Sequence, residues 1–188
     1  MQKAVFCDRD GVINIDYGYI GSIDRFDFVP YAKQALASLK QMGYLTVLVT
    51  NQSGIARGFY TEADFFRTNS YMQQCLDFYQ ARFDKVYFCP HHKDAQILKF
   101  RKICSCRKPK PGMILQAASE LNIDLSASFM VGDNESDLKA GISAGVGHCI
   151  FISETKKNLK LSEIGYKNVE IFPSLYKFVE EMKKNLKK

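Results

Sequence analysis

Two carboxylates follow the first apolar run of the chain at a spacing of two residues. Asp8 and Asp10 stand in Asp8-Arg9-Asp10-Gly11, directly after residues 4–7. In an extended chain, residues two apart project the same way, so one carboxylate can attack a substrate while the other moves protons. A carboxylate that attacks a phosphate ester needs a cation such as magnesium between the two anions. Taken alone, the motif is better explained as an Asx-type turn.

Further groups along the chain complete the set that phosphoryl transfer needs. Thr50 can donate a hydroxyl hydrogen bond to a phosphoryl oxygen, and Lys108 can neutralise charge that develops on the transferred group. Asp133 offers a second carboxylate to a metal. Asp137, one helical turn later, could orient Lys108 or shape the metal's surroundings. Together these groups favour phosphoryl transfer over the turn interpretation.

Apolar runs alternate with helical patterns, and this alternation predicts an α/β fold with a parallel sheet covered on both faces. Since ligands of such sheets bind beyond the carboxyl ends of the strands, the polar groups named above should converge on one edge. We expect Pro30 to be the first residue of a helix and Thr61 to cap another that runs to about Arg82. The predicted strands are 4–7, 44–49, 85–88, 129–132, 148–152 and 169–172, and the further helices are 111–121, 135–144 and one from about 174.

The irregular stretch 89–110 carries three of the six cysteines together with histidines. Cys89-Pro90-His91-His92 precedes Cys104-Ser105-Cys106, and three thiolates with one imidazole match a closed tetrahedral zinc site, which is structural rather than catalytic. The spacing permits either His91 or His92. The zinc would fix the base of the segment that carries Lys108, so we predict that zinc removal lowers activity. Cys7, Cys75 and Cys149 are predicted core residues, and His148 a packed or surface one.

Length and charge narrow the class of protein. The 188 residues fit one domain, 1–188, and no apolar stretch has the length of a membrane span. The first residues do not form a signal peptide, which predicts a cytoplasmic location. From residue 156 onward nine Lys stand against four Glu. This excess predicts a solvated helix face and a frayed tail rather than a nucleic-acid-binding surface. Such a surface would need aromatic residues between the terminal lysines, and there are none. We therefore expect no nucleic-acid and no membrane partner.

The four elements DxDG, Thr50, Lys108 and Asp133, in this order and each after its strand, resemble the haloacid dehalogenase superfamily of phosphotransferases. The resemblance implies a Rossmannoid three-layer sandwich with a minimal cap, Asp8 as nucleophile and Asp10 as general acid and base. It further implies that magnesium is held by Asp8, the Asp10 backbone carbonyl and Asp133, and that zinc is held by Cys89, His91, Cys104 and Cys106 (loop 89–107).

The runs DRDG, Thr50-Asn51-Gln52-Ser53-Gly54, CPHH…CxCRKPxPGM and VGDNESD are similar to one branch of that superfamily, the D-glycero-D-manno-heptose 1,7-bisphosphate 7-phosphatases. This resemblance covers residues 3–152 and implies a monomer that acts on a small sugar phosphate in ADP- or GDP-heptose precursor synthesis. Departures occur at Cys7, Lys93 and Asn134, and the last leaves open whether residue 134 contacts the metal. The residues implied to line the substrate are Asp16, Tyr17, Gly18, Tyr19, Thr50, Asn51, Gln52, Ser53, Arg107 and Lys108.

Three questions stay open at this point. Arg57 is as well explained by a solvated loop cation as by a substrate contact. A histidinol-phosphate phosphatase would share the catalytic groups and the zinc loop, although a bisphosphate should depend more on Arg107, whose planar guanidinium suits a pair of phosphate oxygens. A zinc-stabilised binding module without catalysis is the alternative of another class, and the intact Asp8, Asp10, Lys108 and Asp133 argue against it.

Overall fold

The fold is built on one parallel β-sheet. A computed structural model describes residues 1–154 and 168–186. The part of the chain it describes contains six strands: β1 (Ala4–Cys7), β2 (Leu45–Asn51), β3 (Lys85–Cys89), β4 (Phe129–Gly132), β5 (His148–Ile152) and β6 (Val169–Phe172). They pair in the order β3-β2-β1-β4-β5-β6, all parallel.

Helices connect the strands and cover both faces of the sheet. They are α1 (Ala32–Gln41), α2 (Ser53–Ala56), α3 (Glu62–Asp77), α4 (Gly112–Leu121), α5 (Glu135–Ala144) and α6 (Leu175–Leu186), with 3₁₀ turns at Ile23–Arg25, Leu98–Phe100 and Leu125–Ala127. Because β1 to β5 all run parallel, each described connection between them must cross a face of the sheet.

The alternation of side chains along β1 divides the core into two layers. Val5 and Cys7 point to the face covered by α1 and α6, whereas Ala4 and Phe6 point to the face covered by α4 and α5. All four residues of β1 are buried, as expected for a central strand of a sheet covered on both sides. The predicted three-layer α/β architecture is therefore confirmed.

Several element boundaries differ from the prediction. Pro30 is not the first helical residue, because Tyr31 adopts a left-handed backbone (φ 63°) and α1 begins only at Ala32. Strand β2 extends to Asn51, two residues beyond the predicted end, and the short helix α2 that follows it was not predicted. Thr61 does cap α3, in a reciprocal capping box with Asp64.

The far end of α3 shows the largest difference. The helix ends at Asp77 rather than near Arg82. Gln80 has a left-handed backbone (φ 53°), and the amide of Ala81 donates back to the carbonyl of Leu76 (3.0 Å). The chain thus turns sharply and returns to the sheet through Phe83, which is buried.

Two expectations concern the ends of the chain. Within α6, Lys183 pairs with Glu180 and Lys184 with Glu181, the pattern of a solvated helix face, while residues 156–167 and 187–188 of the lysine-rich segment lie outside the described residues. No helix in the described ranges 1–154 and 168–186 has the length and apolar character needed to cross a bilayer.

Candidate active site

Three strand ends place the predicted catalytic groups at one edge of the sheet. Asp8 follows β1 directly, and its amide donates to the carbonyl of Val131 in β4 (2.9 Å). Thr50 lies at the end of β2, and Asp133 is the first residue after β4. Since these three strands are neighbours in the sheet, the side chains meet above its carboxyl edge.

Lys108 joins this edge from the loop before α4. Its ammonium Nζ lies 2.9 Å from Asp8 Oδ1 and 2.7 Å from Asp137 Oδ1, and it donates to the carbonyl of Val49 (2.7 Å). Two carboxylate oxygens and one carbonyl oxygen thus surround the ammonium. Burial alone would lower the pKa of Lys108, but the carboxylates of Asp137 and Asp8 outweigh it and the net pKa is raised. Lys108 is therefore held in its charged form.

The backbone of Lys108 is held as firmly as its side chain. The side-chain amide of Asn51 donates to the carbonyl of Lys108 (3.0 Å) and accepts from its amide (3.1 Å). Two hydrogen bonds from one planar group fix both the position and the orientation of a peptide. Asn51, at the end of β2, thus ties the Lys108 loop to the sheet.

Three carboxylates lie close enough to share a cation. One oxygen from each of Asp8, Asp133 and Asp137 lies within 4.8 Å of the others. Burial raises the pKa of Asp133 to about 7, with contributions from Asp8 and Asp137, and burial likewise raises the pKa of Asp8. Buried carboxylates that repel one another are stabilised as anions by a divalent cation with oxygen ligands. The donor set fits magnesium.

Gly11 makes room for this arrangement. It has φ +79°, and a Cβ built there would lie 2.0 Å from Asp133 Oδ2. Any other residue would displace the Asp133 carboxylate and would also be strained by the left-handed backbone. The glycine of DRDG therefore serves the carboxylate after β4 as well as the turn after β1.

Asp10 is separated from this cluster and is held by three side chains. Arg9 donates to Asp10 Oδ1 through Nη2 (2.9 Å) and Nε (3.2 Å), and Asn14 Nδ2 donates to the same oxygen (3.0 Å). Gln52 Nε2 donates to Oδ2 (3.2 Å). The side chain of Asp10 keeps 22% of its exposure, so an immobilised carboxyl group still faces the cavity.

A cavity of about 630 Å³ opens in front of these groups. Most of the predicted substrate residues line it, but Thr50 and Gln52 are buried and Tyr17 faces solvent. The cavity is thus lined both by acidic groups and by the cations Arg107 and Lys108. Its lining residues are Asp8, Asp10, Asp16, Gly18, Tyr19, Asn51, Ser53, Tyr60, Arg107, Lys108, Pro109, Asp133, Asn134 and Ser136.

Comparison with known proteins assigns the family. The family model described as haloacid dehalogenase-like hydrolase matches residues 2–145. The chain belongs to the haloacid dehalogenase-like hydrolase family. The prediction of this family from the sequence is thereby confirmed.

Two relatives and one solved structure that resemble this chain are named as heptose bisphosphate phosphatases. The D-glycero-beta-D-manno-heptose-1,7-bisphosphate 7-phosphatase of Yersinia pestis is 47% identical over 153 residues, covering 81% of each chain. The protein of the same name from Haemophilus influenzae is 51% identical over 146 residues, covering 78% of this chain and 79% of the relative. The crystal structure of D,D-heptose 1,7-bisphosphate phosphatase from B. bronchiseptica, complexed with magnesium and phosphate, has a TM-score of 0.85 and 31% identity, covering 97% of this chain and 99% of that one.

This hydrolase also brings together the four predicted zinc ligands, which we call the Cys–His cluster: Cys89, His91, Cys104 and Cys106. Their sulfur atoms lie 3.1–3.5 Å apart, and His91 Nδ1 lies 3.4 Å from Cys106 Sγ and 3.6 Å from Cys89 Sγ. A tetrahedron with Zn–S bonds of 2.3 Å has edges of about 3.8 Å. Four thiolate and imidazole donors at nearly these separations could hold zinc.

Of the two adjacent histidines, His91 is the one that lies with the three cysteines. His92 points away from the cluster: its Nε2 lies 3.4 Å from Arg57 Nη2, and its Nδ1 accepts from the amide of Asp94 (3.2 Å). Arg57 in turn lies over the Tyr19 ring (5.8 Å) and does not line the cavity. Its position beside His92 and Tyr19 places it at the rim rather than among the groups around Asp8.

The Cys–His cluster is connected to the catalytic loop through short backbone contacts. Gly112 donates to the carbonyl of Ser105 (3.0 Å), and a Cβ at Gly112 would lie 2.4 Å from that carbonyl oxygen. Arg107 Nη1 donates to the carbonyl of His91 (3.3 Å). The segment 105–112 is thus folded closely on the cluster, and Lys108 lies at its centre.

Two further residues of the site were not identified from the sequence. Arg9 is completely buried, lies near the rings of Phe26 and Phe65, and donates to the carbonyl of Ile20 (2.7 Å) as well as to Asp10. Tyr60 lines the cavity. An arginine between two aspartates is usually a solvated charge, and only the distant aromatic residues that cover Arg9 reveal its burial.

Among the remaining cysteines, Cys7 and Cys149 are buried as predicted, whereas Cys75 is only half-buried. Cys75 lies on α3, next to the solvent-facing side of the helix. His148 is exposed, and its ring stacks on Phe129 (5.1 Å between centroids), which agrees with the prediction of a packed or surface residue.

Proposed function

We propose that this chain is a magnesium-dependent phosphatase that removes the 7-phosphate of D-glycero-D-manno-heptose 1,7-bisphosphate through an aspartyl-phosphate. The single observation that carries the proposal is the arrangement around Lys108, whose ammonium contacts Asp8 while a second aspartate, Asp10, faces the same cavity. The names of the curated relatives support the substrate, and they specify the β anomer.

In the first step, an Asp8 carboxylate oxygen attacks phosphorus and the bond from phosphorus to the sugar oxygen breaks. Protonated Asp10 gives its proton to that departing oxygen, so the sugar leaves as a neutral alcohol. Lys108 stabilises the negative charge of the transferred group, and the hydroxyl of Thr50 donates a hydrogen bond to it. The products of this step are the free alcohol and phosphorylated Asp8.

In the second step, water attacks the phosphorus of the aspartyl-phosphate. Asp10, now a carboxylate, takes a proton from the water, and the bond between phosphorus and the Asp8 oxygen breaks. Inorganic phosphate leaves and Asp8 is a carboxylate again. Because Asp10 ends this step protonated, both carboxyl groups return to their starting state.

Magnesium, held by Asp8, Asp133 and the backbone carbonyl of Asp10, would neutralise part of the charge that builds up between nucleophile and phosphate. Zinc in the Cys–His cluster would have a structural role, since four protein donors leave no open position. Asp8 and Asp133 belong to the carboxylate set described above, and the four proposed zinc ligands form the Cys–His cluster.

Arg107 is the group best suited to the phosphate that is not transferred. It lines the same cavity as Asp8 and Lys108, and its guanidinium can bind two oxygens of one phosphate. Of the other predicted residues, Asp16, Gly18, Tyr19, Asn51 and Ser53 line the cavity and are proposed to contact the sugar. Thr50 is proposed to contact only the transferred phosphoryl group and Gln52 to act through its neighbours, and we propose no sugar contact for Tyr17 or Arg57.

The test is parallel measurement of phosphate release from heptose 1,7-bisphosphate and from histidinol phosphate, with magnesium and with chelator. We expect magnesium-dependent turnover of the heptose ester with a much higher kcat/KM than for histidinol phosphate. The histidinol alternative is not favoured, since the relatives reported above carry the heptose name. Preference for histidinol phosphate would replace the substrate assignment, and hydrolysis of neither ester would favour the binding module.

The remaining assignments are also proposals. We propose that residues 1–188 form one domain that contains the loop 89–107, and that the protein acts as a monomer in the cytoplasm without a nucleic-acid partner. Size-exclusion chromatography with light scattering checks the monomer; a mass twice that of the 21.4 kDa chain would contradict it.

A further inference from the structure

The side chain of Gln52 links three groups at the back of the cavity. Its Nε2 donates to Asp10 Oδ2 (3.2 Å) and to Thr50 Oγ1 (2.9 Å), and its Oε1 accepts from the hydroxyl of Tyr60 (2.6 Å). Gln52 is 1% exposed. Its amide is therefore fully used within the protein and has no free face for a substrate.

The orientation of this amide follows from the charges around it. If the amide were turned over while Asp10 is ionised, Oε1 would lie against a carboxylate oxygen of Asp10, where oxygen atoms repel. The oxygen must therefore face Tyr60, whose hydroxyl then has to donate. Burial raises the pKa of Tyr60 to about 12, so that proton is present at neutral pH.

The same amide orients Thr50. Since the Thr50 oxygen accepts one proton of Gln52 Nε2, its own proton is directed away from Gln52. The hydroxyl of Thr50 is thereby prepared as a donor. One side chain thus fixes the group that donates to the phosphoryl oxygens and the group that protonates the leaving oxygen.

Tyr60 is itself held in a slot between two glycines. A Cβ at Gly21 would lie 2.2 Å from Tyr60 Cγ, and a Cβ at Gly54 would lie 2.2 Å from Tyr60 Cε1. The ring therefore lies close against the backbone at both glycines. Such close packing fixes the hydroxyl at the position from which it reaches Gln52.

We infer that Tyr60 and Gln52 are positioning residues, which hold Asp10 for proton transfer and Thr50 for donation, and that neither binds the substrate directly. The inference rests on the proposed function, in which Asp10 protonates the leaving group. It also replaces the substrate contact that the sequence predicted for Gln52.

The decisive measurement is the dependence of kcat/KM on the leaving group. A series of aryl phosphates with leaving phenols of increasing pKa is hydrolysed by the wild type, Tyr60→Phe, Gln52→Met and the double variant. kcat/KM reports the step that forms the aspartyl-phosphate, so a poorly placed Asp10 slows the esters with basic leaving groups most. We expect Tyr60→Phe to lose about tenfold for the most basic phenol and about twofold for the most acidic, because general acid catalysis contributes roughly 10²–10⁴-fold.

The double variant tests whether the two residues act as one unit. If the Tyr60 hydroxyl acts only through Gln52, adding Tyr60→Phe to Gln52→Met causes no further loss. The matched control is Tyr87→Phe, which removes a similar tyrosine hydrogen bond (Tyr87 to Glu120, 2.7 Å) away from the cavity and should keep the wild-type slope.

Three results would overturn the inference. An unchanged slope with a raised KM for every ester in Tyr60→Phe would make Tyr60 a substrate contact. Additive losses in the double variant would separate the two residues, and an equal loss for all esters that follows a lower melting temperature would make them merely structural.

A readout independent of activity separates this inference from the proposed function. The side-chain amide protons of Gln52, assigned by their loss in Gln52→Met, should exchange slowly with solvent in the wild type and faster in Tyr60→Phe. Equal exchange rates in both proteins would refute the positioning role of Tyr60 even if the wild type hydrolysed no ester. Turnover by the wild type tests the proposed function separately.

Discussion

Replacing Lys108 by Met should remove the group on which both the stability and the chemistry of the site depend. Methionine has nearly the length of lysine, so the substitution deletes the ammonium and leaves the volume almost unchanged. The three acceptors Asp8, Asp137 and Val49 then lose their shared donor. Asp137 suffers most, since its side chain is completely buried and water cannot take the place of the ammonium.

Two magnitudes follow from this geometry. Breaking a buried ion pair by removing one partner costs about 3–5 kcal/mol, and Asp8 offsets part of it because its side chain keeps 14% exposure. We expect a loss of about 3 kcal/mol in the free energy of unfolding. Removing a charge that stabilises the transferred phosphoryl group should lower kcat by at least about 10²–10³-fold.

Urea unfolding followed by circular dichroism measures the first effect, and phosphate release at saturating magnesium measures the second. The control is Lys85→Met, since Lys85 forms only an exposed pair with Glu120 (3.8 Å), and it should cost less than about 1 kcal/mol with full activity. If Lys108→Met kept kcat within tenfold of the wild type, or unfolded like the control, the role assigned to the ammonium would be wrong.

Three further predictions test other parts of the site. Asp8→Asn should abolish turnover with an unchanged circular dichroism spectrum, because the amide cannot attack phosphorus; full residual activity would move the nucleophile elsewhere. Gly11→Ala should weaken magnesium binding, measured by calorimetry, by at least about tenfold, since the added Cβ would meet Asp133 Oδ2. An affinity equal to that of the wild type would show that the backbone shifts at residue 11 without displacing Asp133. Removing zinc from the Cys–His cluster should lower kcat but change the melting temperature of the protein little, because Lys108 loses its support on one side while the sheet is unaffected. Unchanged turnover by a folded, zinc-free protein would contradict this.

The sequence predicts the strands and the residues at their ends well, for a physical reason. Strand β4, helix α5 and strand β5 have the predicted bounds, because each apolar run is bounded by polar or glycine residues that cannot continue it. Helix α3 ends before the predicted residue because the left-handed turn at Gln80 uses no glycine or proline. A local pattern carries no signal for such a turn, which is stabilised by the return of the chain to the sheet.

Some residues of the candidate site can likewise be predicted from the sequence, and others cannot. Asp8 and Asp133 are placed by the strands that precede them, so strand prediction finds them. The roles of Gln52 and Tyr60 depend on side-chain directions and on the slot formed by Gly21 and Gly54. These contacts join segments far apart in the sequence, and neither periodicity nor spacing records them.

Asp137 connects helix α5 to the catalytic lysine in a way that limits how this region can be redesigned. One oxygen, Oδ2, accepts the amide of Asn134 at the start of α5 (3.0 Å), while Oδ1 faces Lys108. A Cβ at Gly132 would lie 2.3 Å from the Asp137 side chain, so no extra atom can be accommodated beside it. A redesign that changes the length or the charge of α5 would therefore also have to redesign the contacts of Lys108.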